Sequence, residues 1–388
     1  MASIRSIGAR KILNSRGEWT VEANLICEDF SVTASVPEGK SKGKFEAVSV
    51  DAEAAVKIIN EKISPALKGF NPEDQNKIDN LLIELDGTPN KSVFGANSTL
   101  AVSIAAARAA AKIKNVPLWR YIEGISKRTS KAPDLYMNVI NGGLHAGNSL
   151  DFQEYIIIPK AGTITKNIEL GVRVYSELAK ELLNNFGKGA TLVGDEGGYA
   201  SNFENNSQPF EIISALLNRL GISDKFSFGL DAAASNIKKT ADDLRQEYES
   251  LLAKYNLEYL EDPFDENDFD SFARFLADHD SKCLIAGDDL TVTNAQKIAD
   301  AYTKKAVNAV IIKPNQIGTI TEALYAVAKA QEFDWKVVVS HRSGETNDDF
   351  IADFAYGVGA DGFKLGAPAR GERVTKYNRL IAIEKETD

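Results

Sequence analysis

Three carboxylates close short apolar runs at a regular interval along the second part of the chain. The run 226–230 ends at Asp231, the run 257–260 at Glu261 and the run 283–287 at Asp288. The next three such runs end in a base or cation: 307–312 at Lys313, 337–340 at His341 and 362–363 at Lys364. Three anions gathered in one small volume repel one another unless a cation neutralises them. Oxygen ligands favour a hard ion, and Mg²⁺ suits a site that must also admit substrate and water. Taken singly, each carboxylate reads first as a cap for the helix that follows it. Three in succession, followed by three cationic or basic residues, read as a site.

Lys313 ends an apolar strand, and beside a bound metal its pKa is expected to fall, which would fit it to take a proton. A snorkelling surface lysine and a Schiff-base lysine are the other readings, and the following residues 314–318 leave all three open. The segment 340–346, Ser-His-Arg-Ser-Gly-Glu-Thr, offers imidazole, guanidinium and hydroxyl in succession. Within it, Arg342 and Ser343 suit a phosphate, the first through bidentate donation. Lys364 suits a carboxylate, although alone it would be an ordinary lysine. In the turn 194–198 the glycines let the backbone approach a ligand and orient Asp195 and Glu196. The Gly-rich loop 141–148 carries His145. Of the three histidines, only His279 reads as a solvated helix end.

The strand-end residues are separated by 30, 27, 25, 28 and 23 positions, each about one strand–helix unit. Repetition at that period predicts a parallel βα architecture. With this many units a closed (β/α)₈-type barrel fits, and such barrels carry their chemistry at the C-terminal strand ends. The earlier part reads as an α+β module. A hairpin is predicted from 20–26 and 31–36. A helix follows around Val56, Ile59 and Ile63, with Gly69 as its stop. A second helix is predicted over 72–85, with Asn71 as cap and Pro72 in its first turn. An Ala-rich third covers 98–113. The polar stretch 126–133 marks the boundary, giving an N-terminal domain over 1–130 and a catalytic domain over 131–388.

At 388 residues, 44% hydrophobic and 26% charged, the chain has the composition of a globular protein with a substantial core. The 45 Lys and Arg against 55 Asp and Glu give a net charge of −10. That balance argues against nucleic acid or an anionic membrane as the main partner. No apolar run approaches the roughly 18 residues that would span a bilayer. The first residues lack an apolar signal core. Two cysteines are too few for a disulfide framework. A cytoplasmic location is expected.

Many short motifs, in order along nearly the whole chain, resemble those of the enolase (phosphopyruvate hydratase) family. They include 12–17 (Ile-Leu-Asn-Ser-Arg-Gly), 95–97, 141–147, Gln153 with Glu154, 194–198, and Asp231 after Leu230. They continue through 261–263 (Glu-Asp-Pro), 287–290, Lys313 with 315–318, 340–346, Lys364 with 366–368, and 376–378. The resemblance implies an N-terminal α+β capping domain followed by a modified (β/α)₈ TIM-type barrel. It implies reversible dehydration of 2-phospho-D-glycerate to phosphoenolpyruvate with two Mg²⁺ ions, in a homodimer or higher homo-oligomer.

Carried over by residue, the resemblance makes Lys313 the base at C2 and Glu196 the acid at the C3 hydroxyl. Glu154 and His341 stand with them as further catalytic groups. Asp231, Glu261 and Asp288 hold the first metal, and Ser41 helps ligate the second. Arg342 and Ser343 bind phosphate and Lys364 binds carboxylate, while His145 and Gln153, together with Glu154, complete the substrate pocket.

The chain departs from the family at four places. The loop 37–43 carries Glu38, Lys40 and Lys42 where the family is uncharged, and a charged lid bears on closure and second-metal affinity. Glu18 and Trp19 replace the usual Asn-Pro, and Asn14 an Asp. A hairpin common between the first two metal carboxylates is missing. Ala382 occupies a position where many members carry an interface Arg paired to a Glu, here Glu22. Two rivals remain at this level. One is another member of the same superfamily, such as a racemase, epimerase or sugar-acid dehydratase; the other is a binding or structural paralogue.

Overall fold

A computed structural model describes residues 3–40 and 43–387. The first strands, β1 (Ser6–Leu13), β2 (Trp19–Ile26) and β3 (Ser31–Ser35), form an antiparallel meander. The hairpin 20–36 is therefore present, with β1 added to its outer edge. Four helical segments follow. The first runs from Ala52 through a wide turn, Ile59–Ile63, to Leu67; the others span Gln75–Asp86, Ala96–Ile113 and Leu118–Ser126.

The second of these begins later than the expected residue 72. Asn71 turns its side chain onto Glu73 N and its carbonyl accepts from Asp74 N, so 71–74 closes a separate turn. The helix Ala96–Ile113 is buried on nearly every face. Alanine suits that position, because small side chains let sheet and neighbouring helices approach on all sides.

Eight strands then close into a barrel: β4 (Asp134–Asn141), β5 (Glu154–Pro159), β6 (Phe226–Asp231), β7 (Leu257–Glu261), β8 (Leu284–Gly287), β9 (Ala309–Ile312), β10 (Lys336–Ser340) and β11 (Gly362–Lys364). The expected parallel repeat holds from β6 onward. Strand β5 is the exception, antiparallel to both β4 and β6. The link from β4 to β5 contains no crossover helix, and a parallel connection requires one. Reversal of β5 brings its first residue, Glu154, level with Asn141 and Asp231 at the mouth where the other strands end. The barrel interior is filled by Tyr136, Ile156, Ile158, Tyr259, Ala286, Ala309, Ile311 and Val338. Gly362 admits the Tyr136 ring, since a Cβ there would lie 2.8 Å from its Cζ.

The N-terminal module is stapled onto the barrel by buried polar contacts. Arg108 donates to Asp348 at 2.7 and 2.8 Å and to Thr33 O at 2.6 Å. Asp79 accepts from Thr321 N at 2.9 Å, and Ser103 Oγ from Ile320 N at 3.0 Å. Thus the barrel helix Ile320–Glu332 has two of its first N–H groups capped by the other module.

Burial raises the Asp348 carboxyl, but the Arg108 guanidinium more than offsets this and holds it below the ordinary carboxylate range. A depressed folded value stabilises above the unfolded value of about 3.9, and that contribution is lost as pH falls through the folded value. Asp348→Asn should therefore cost about 3 kcal/mol at pH 7, the scale of a broken buried pair. In urea unfolding, the gap between variant and native chain should shrink below pH 4. A gap that stays constant down to pH 2.5 would contradict this assignment.

Candidate active site

Barrel geometry delivers the six strand-end residues to one mouth. Asp231, Glu261 and Lys364 are the last residues of β6, β7 and β11, while Asp288, Lys313 and His341 directly follow β8, β9 and β10. The loop between β4 and β5 brings His145 and Gln153, β5 brings Glu154, and the turn 194–198 brings Glu196. All of these except Glu261 line one cavity, together with Arg342 and Ser343. Glu261 lies just beneath, tied to it through Lys364.

Lys364, 1% exposed, sits among three carboxylates. Its Nζ lies 2.8 Å from Asp231 Oδ2, 2.7 Å from Glu261 Oε2 and 3.2 Å from Glu154 Oε1. Burial and the charge of Asp231 push the Glu261 carboxyl up to about 7, against the opposing pull of Lys364. Burial and Glu196 raise Glu154 well above its ordinary value. Lys313 is ion-paired with Asp288. Burial lowers the Lys313 ammonium, but the Asp288 carboxylate outweighs it, so its pKa is raised. The expected depression concerns Lys313 beside a bound metal, whereas this shift comes from its ion pair with Asp288.

Asp231, Glu261 and Asp288 do not form one tight carboxylate cluster; two close on Lys364 and the third on Lys313. Their surroundings nonetheless fit a cation. Buried Glu261 Oε1, Glu154 Oε2 and Gln153 Oε1 have no hydrogen-bond donor among the described residues. Two other groups bring possible ligand atoms within 4.8 Å of one another: His145 with Glu154 and Glu196, and Asp262 with Asp288 and Asp289. In the second, Asp262 accepts from Asp288 N at 3.0 Å and Asp289 N at 2.9 Å, so its oxygens already shape the chain.

Glu196 is buried between two imidazoles, His145 Nδ1 at 3.5 Å and His341 Nε2 at 3.6 Å, and accepts from Asn138 Nδ2 at 2.9 Å. Burial pushes His341 down to about 4, so its ring is neutral at pH 7. Arg373 lies 2.7 Å from His341 Nδ1. A guanidinium only donates, so Nδ1 accepts and the ring proton sits on Nε2, facing Glu196.

Over Arg342 lies the loop 37–40. Its guanidinium contacts Glu46 at 3.2 Å. A Cβ on Gly39 would fall 1.8 Å from Arg342 Nη2, so a larger residue there would displace the guanidinium. Lys40 N donates to Ser343 Oγ at 2.8 Å, and Lys40 Nζ lies 3.2 Å from Asp195 Oδ2. One of the unusual lid charges is therefore paired to the neighbour of Glu196. Ser41, the expected second-metal ligand, lies outside the described residues, as does Lys42. His279 is not the solvated residue expected: it is half-buried, with its ring 4.4 Å from that of Phe275.

Several residues that shape the site carried no signal in the sequence reading. Asn138 is a polar residue inside a buried strand, a pattern that would have flagged it. Glu46 and Arg373 sit far from any strand end and had no such mark.

The chain matches two family models, described as "Enolase, N-terminal domain" over residues 4–122 and "Enolase, C-terminal TIM barrel domain" over 130–388. Among similar proteins, an enolase of Methanocaldococcus jannaschii is 42% identical over 99% of this chain and 95% of its own. Enolases of Solanum lycopersicum and Methanopyrus kandleri are 39% and 41% identical over all of this chain and 96% of theirs.

Replacing Lys364 by Met should leave three buried carboxylates facing one another. The folded pKa values of Glu154 and Glu261, already raised, would rise further, and a raised folded carboxyl pKa makes stability fall as pH rises through it. In EDTA, the variant should lose about 3 kcal/mol at pH 8 and markedly less at pH 5.5 by urea unfolding. An equal loss at both pH values would rule out charge compensation as the role of this ammonium.

Proposed function

The chain belongs to the enolase family, and we propose how its residues carry out the family's reaction, the reversible dehydration of 2-phospho-D-glycerate to phosphoenolpyruvate in glycolysis and gluconeogenesis. It is a hydro-lyase. Lys313 takes the proton from C2, the C–H electron pair becomes the C2–C3 double bond, and the C3–O bond breaks. Burial raises the Glu196 carboxyl, but His145 and His341 hold it well below the ordinary carboxylate range, so Glu196 must first take up a proton, which it then gives to the departing hydroxyl as that leaves as water. The reading is supported above all by Lys313 and Glu196 lining one cavity with Arg342 and Ser343.

The C2 hydrogen is a very weak acid because the adjacent carboxylate is already anionic, so stabilising the added charge is the main catalytic task. Asp231, Glu261 and Asp288 would hold Mg²⁺, with Ser41 assisting a second ion; bound there, the metal neutralises charge developing on the substrate carboxylate. Lys364 faces the same carboxylate and Arg342 with Ser343 the phosphate. For Lys313 to accept a proton it must leave Asp288, whose carboxylate keeps it charged. The neutral His341 directs its Nε2 proton to Glu196, while His145, Gln153 and Glu154 close the pocket.

The division at 130/131 separates a capping domain from the catalytic barrel. A homodimer or higher homo-oligomer is proposed, with Leu13, Trp19, Leu192 and Val193 as exposed apolar residues available to its interface. Arg370 ties the two segments together by donating to Ser15 O at 2.8 Å and Gly194 O at 3.2 Å. Glu22 pairs with Arg10 of its own chain at 2.7 Å, in keeping with Ala382 at the usual arginine position. A cytoplasmic location is part of the same proposal; among the described residues no helix is long and apolar enough to cross a membrane.

Absorbance at the enol of phosphoenolpyruvate, with 2-phosphoglycerate and Mg²⁺, tests the reaction directly. Lys313→Ala and Glu196→Gln should each reduce turnover at least 10³-fold, roughly the scale of a lost general acid or base, with unchanged circular dichroism. Near-normal turnover in either variant would overturn that residue's role.

A further inference from the structure

The motif 315–318 follows Lys313 and has no role in the reaction as assigned above. Within it Gln316 is 1% exposed, and a buried amide must find partners for its oxygen and nitrogen. Gln316 Oε1 accepts from Thr293 Oγ1 at 2.7 Å, and Nε2 donates to Asp288 Oδ1 at 2.9 Å and to Glu46 Oε1 at 3.4 Å. The orientation of the amide is fixed by chemistry. Thr293 Oγ1 already accepts from Lys313 N at 2.8 Å, so its hydrogen is free to be donated, while both carboxylates can only accept.

The backbone that presents Thr293 is itself unusual. Val292 and Thr293 are β-branched, fully buried, and have φ of 41° and 55°. Such conformations are costly for β-branched residues and persist only where their surroundings impose them. Thr293 thus links two groups of the site: the backbone of Lys313 on one side and, through Gln316, the carboxylate of Asp288 on the other.

We propose that Gln316 is a positioning residue, which anchors Asp288 Oδ1 so that the carboxylate is held with Oδ2 toward Lys313, in one fixed orientation in which it would serve as a metal ligand. This rests on the assignment of Asp288 as a metal ligand. Mg²⁺ demands near-ideal octahedral geometry, so a carboxylate free to rotate makes a poor ligand. Groups that orient ligands in this way are worth about 10- to 100-fold in metal affinity.

Calorimetric titration of Mg²⁺ into the full chain without substrate tests the proposal. Gln316→Met keeps the bulk and removes the amide; it should weaken Mg²⁺ binding about 10- to 100-fold, a readout that general loosening of the fold would not move selectively. Thr293→Val should weaken it in the same direction and Thr293→Ser, which keeps the hydroxyl, should not. The double variant of Gln316→Met and Thr293→Val should add little to Gln316→Met alone. If Gln316→Met binds Mg²⁺ within twofold of the native chain while Asp288→Asn loses binding, the positioning role is wrong and the metal assignment stands. If Asp288→Asn binds normally, the metal assignment fails and takes this role with it. Should Gln316→Met not fold, the contrast between Thr293→Val and Thr293→Ser decides by the same criterion.

Discussion

Asp231, Glu261 and Glu154 meet at the barrel mouth with only the Lys364 ammonium among them, all four essentially out of solvent. Charges removed from water carry a large desolvation cost, which mutual attraction offsets only when the geometry is good. One ammonium cannot balance three carboxylates. Here the imbalance is relieved in part by protonation, with Glu261 raised to about 7 and Glu154 well above its ordinary range. A site arranged this way favours added positive charge, which is what the proposed reaction needs there. Lys313 is paired separately, with Asp288.

What holds the neighbouring Arg342 and the segment after Lys313 in place comes from outside the barrel strands. The N-terminal module supplies Gly39 and Glu46 against Arg342, and caps the helix after Lys313 through Asp79 and Ser103. Thr99 Oγ1 also donates to Gly318 O at 2.8 Å. The segment carrying Lys313 and Gln316 is therefore gripped from the strand side by β9 and from the outer side by the other module. The module acts as part of the active site's wall, beyond covering it.

The strand-end pattern was legible because a parallel barrel converts regular spacing in sequence into convergence in space. Asp231, Glu261, Asp288, Lys313, His341 and Lys364 all follow from it. Glu154 does not, since it begins a reversed strand, and the spacing of βα units says nothing of a strand that runs backward. Only family resemblance pointed to it. The ion pair of Lys313 with Asp288 was not legible for a different reason: the spacing locates the lysine without its partner. Helix 75–86 began late because a side-chain hydrogen bond from Asn71 captured the first turn, a local competition that the pattern of apolar residues does not register.

The last element of the chain reaches the site through a buried arginine. Helix Gly371–Thr387 places Arg373 against His341 Nδ1, and its second amino group donates to Ser343 O at 2.6 Å and Asp195 O at 3.2 Å. One guanidinium therefore sets the histidine tautomer, braces the segment bearing Arg342 and Ser343, and reaches the residue beside Glu196. On the surface side Lys40 reaches the same residue, Asp195, from the lid. The turn carrying the proposed acid is thus clamped between the two ends of the sequence. An acid that must deliver a proton to one departing oxygen gains from such fixing, because misplacement by about 1 Å can cost roughly 100-fold in rate. The unusual charge on the lid then has a physical sense: the pairing it adds joins the strap over Arg342 and Ser343 to the turn that holds the proposed acid.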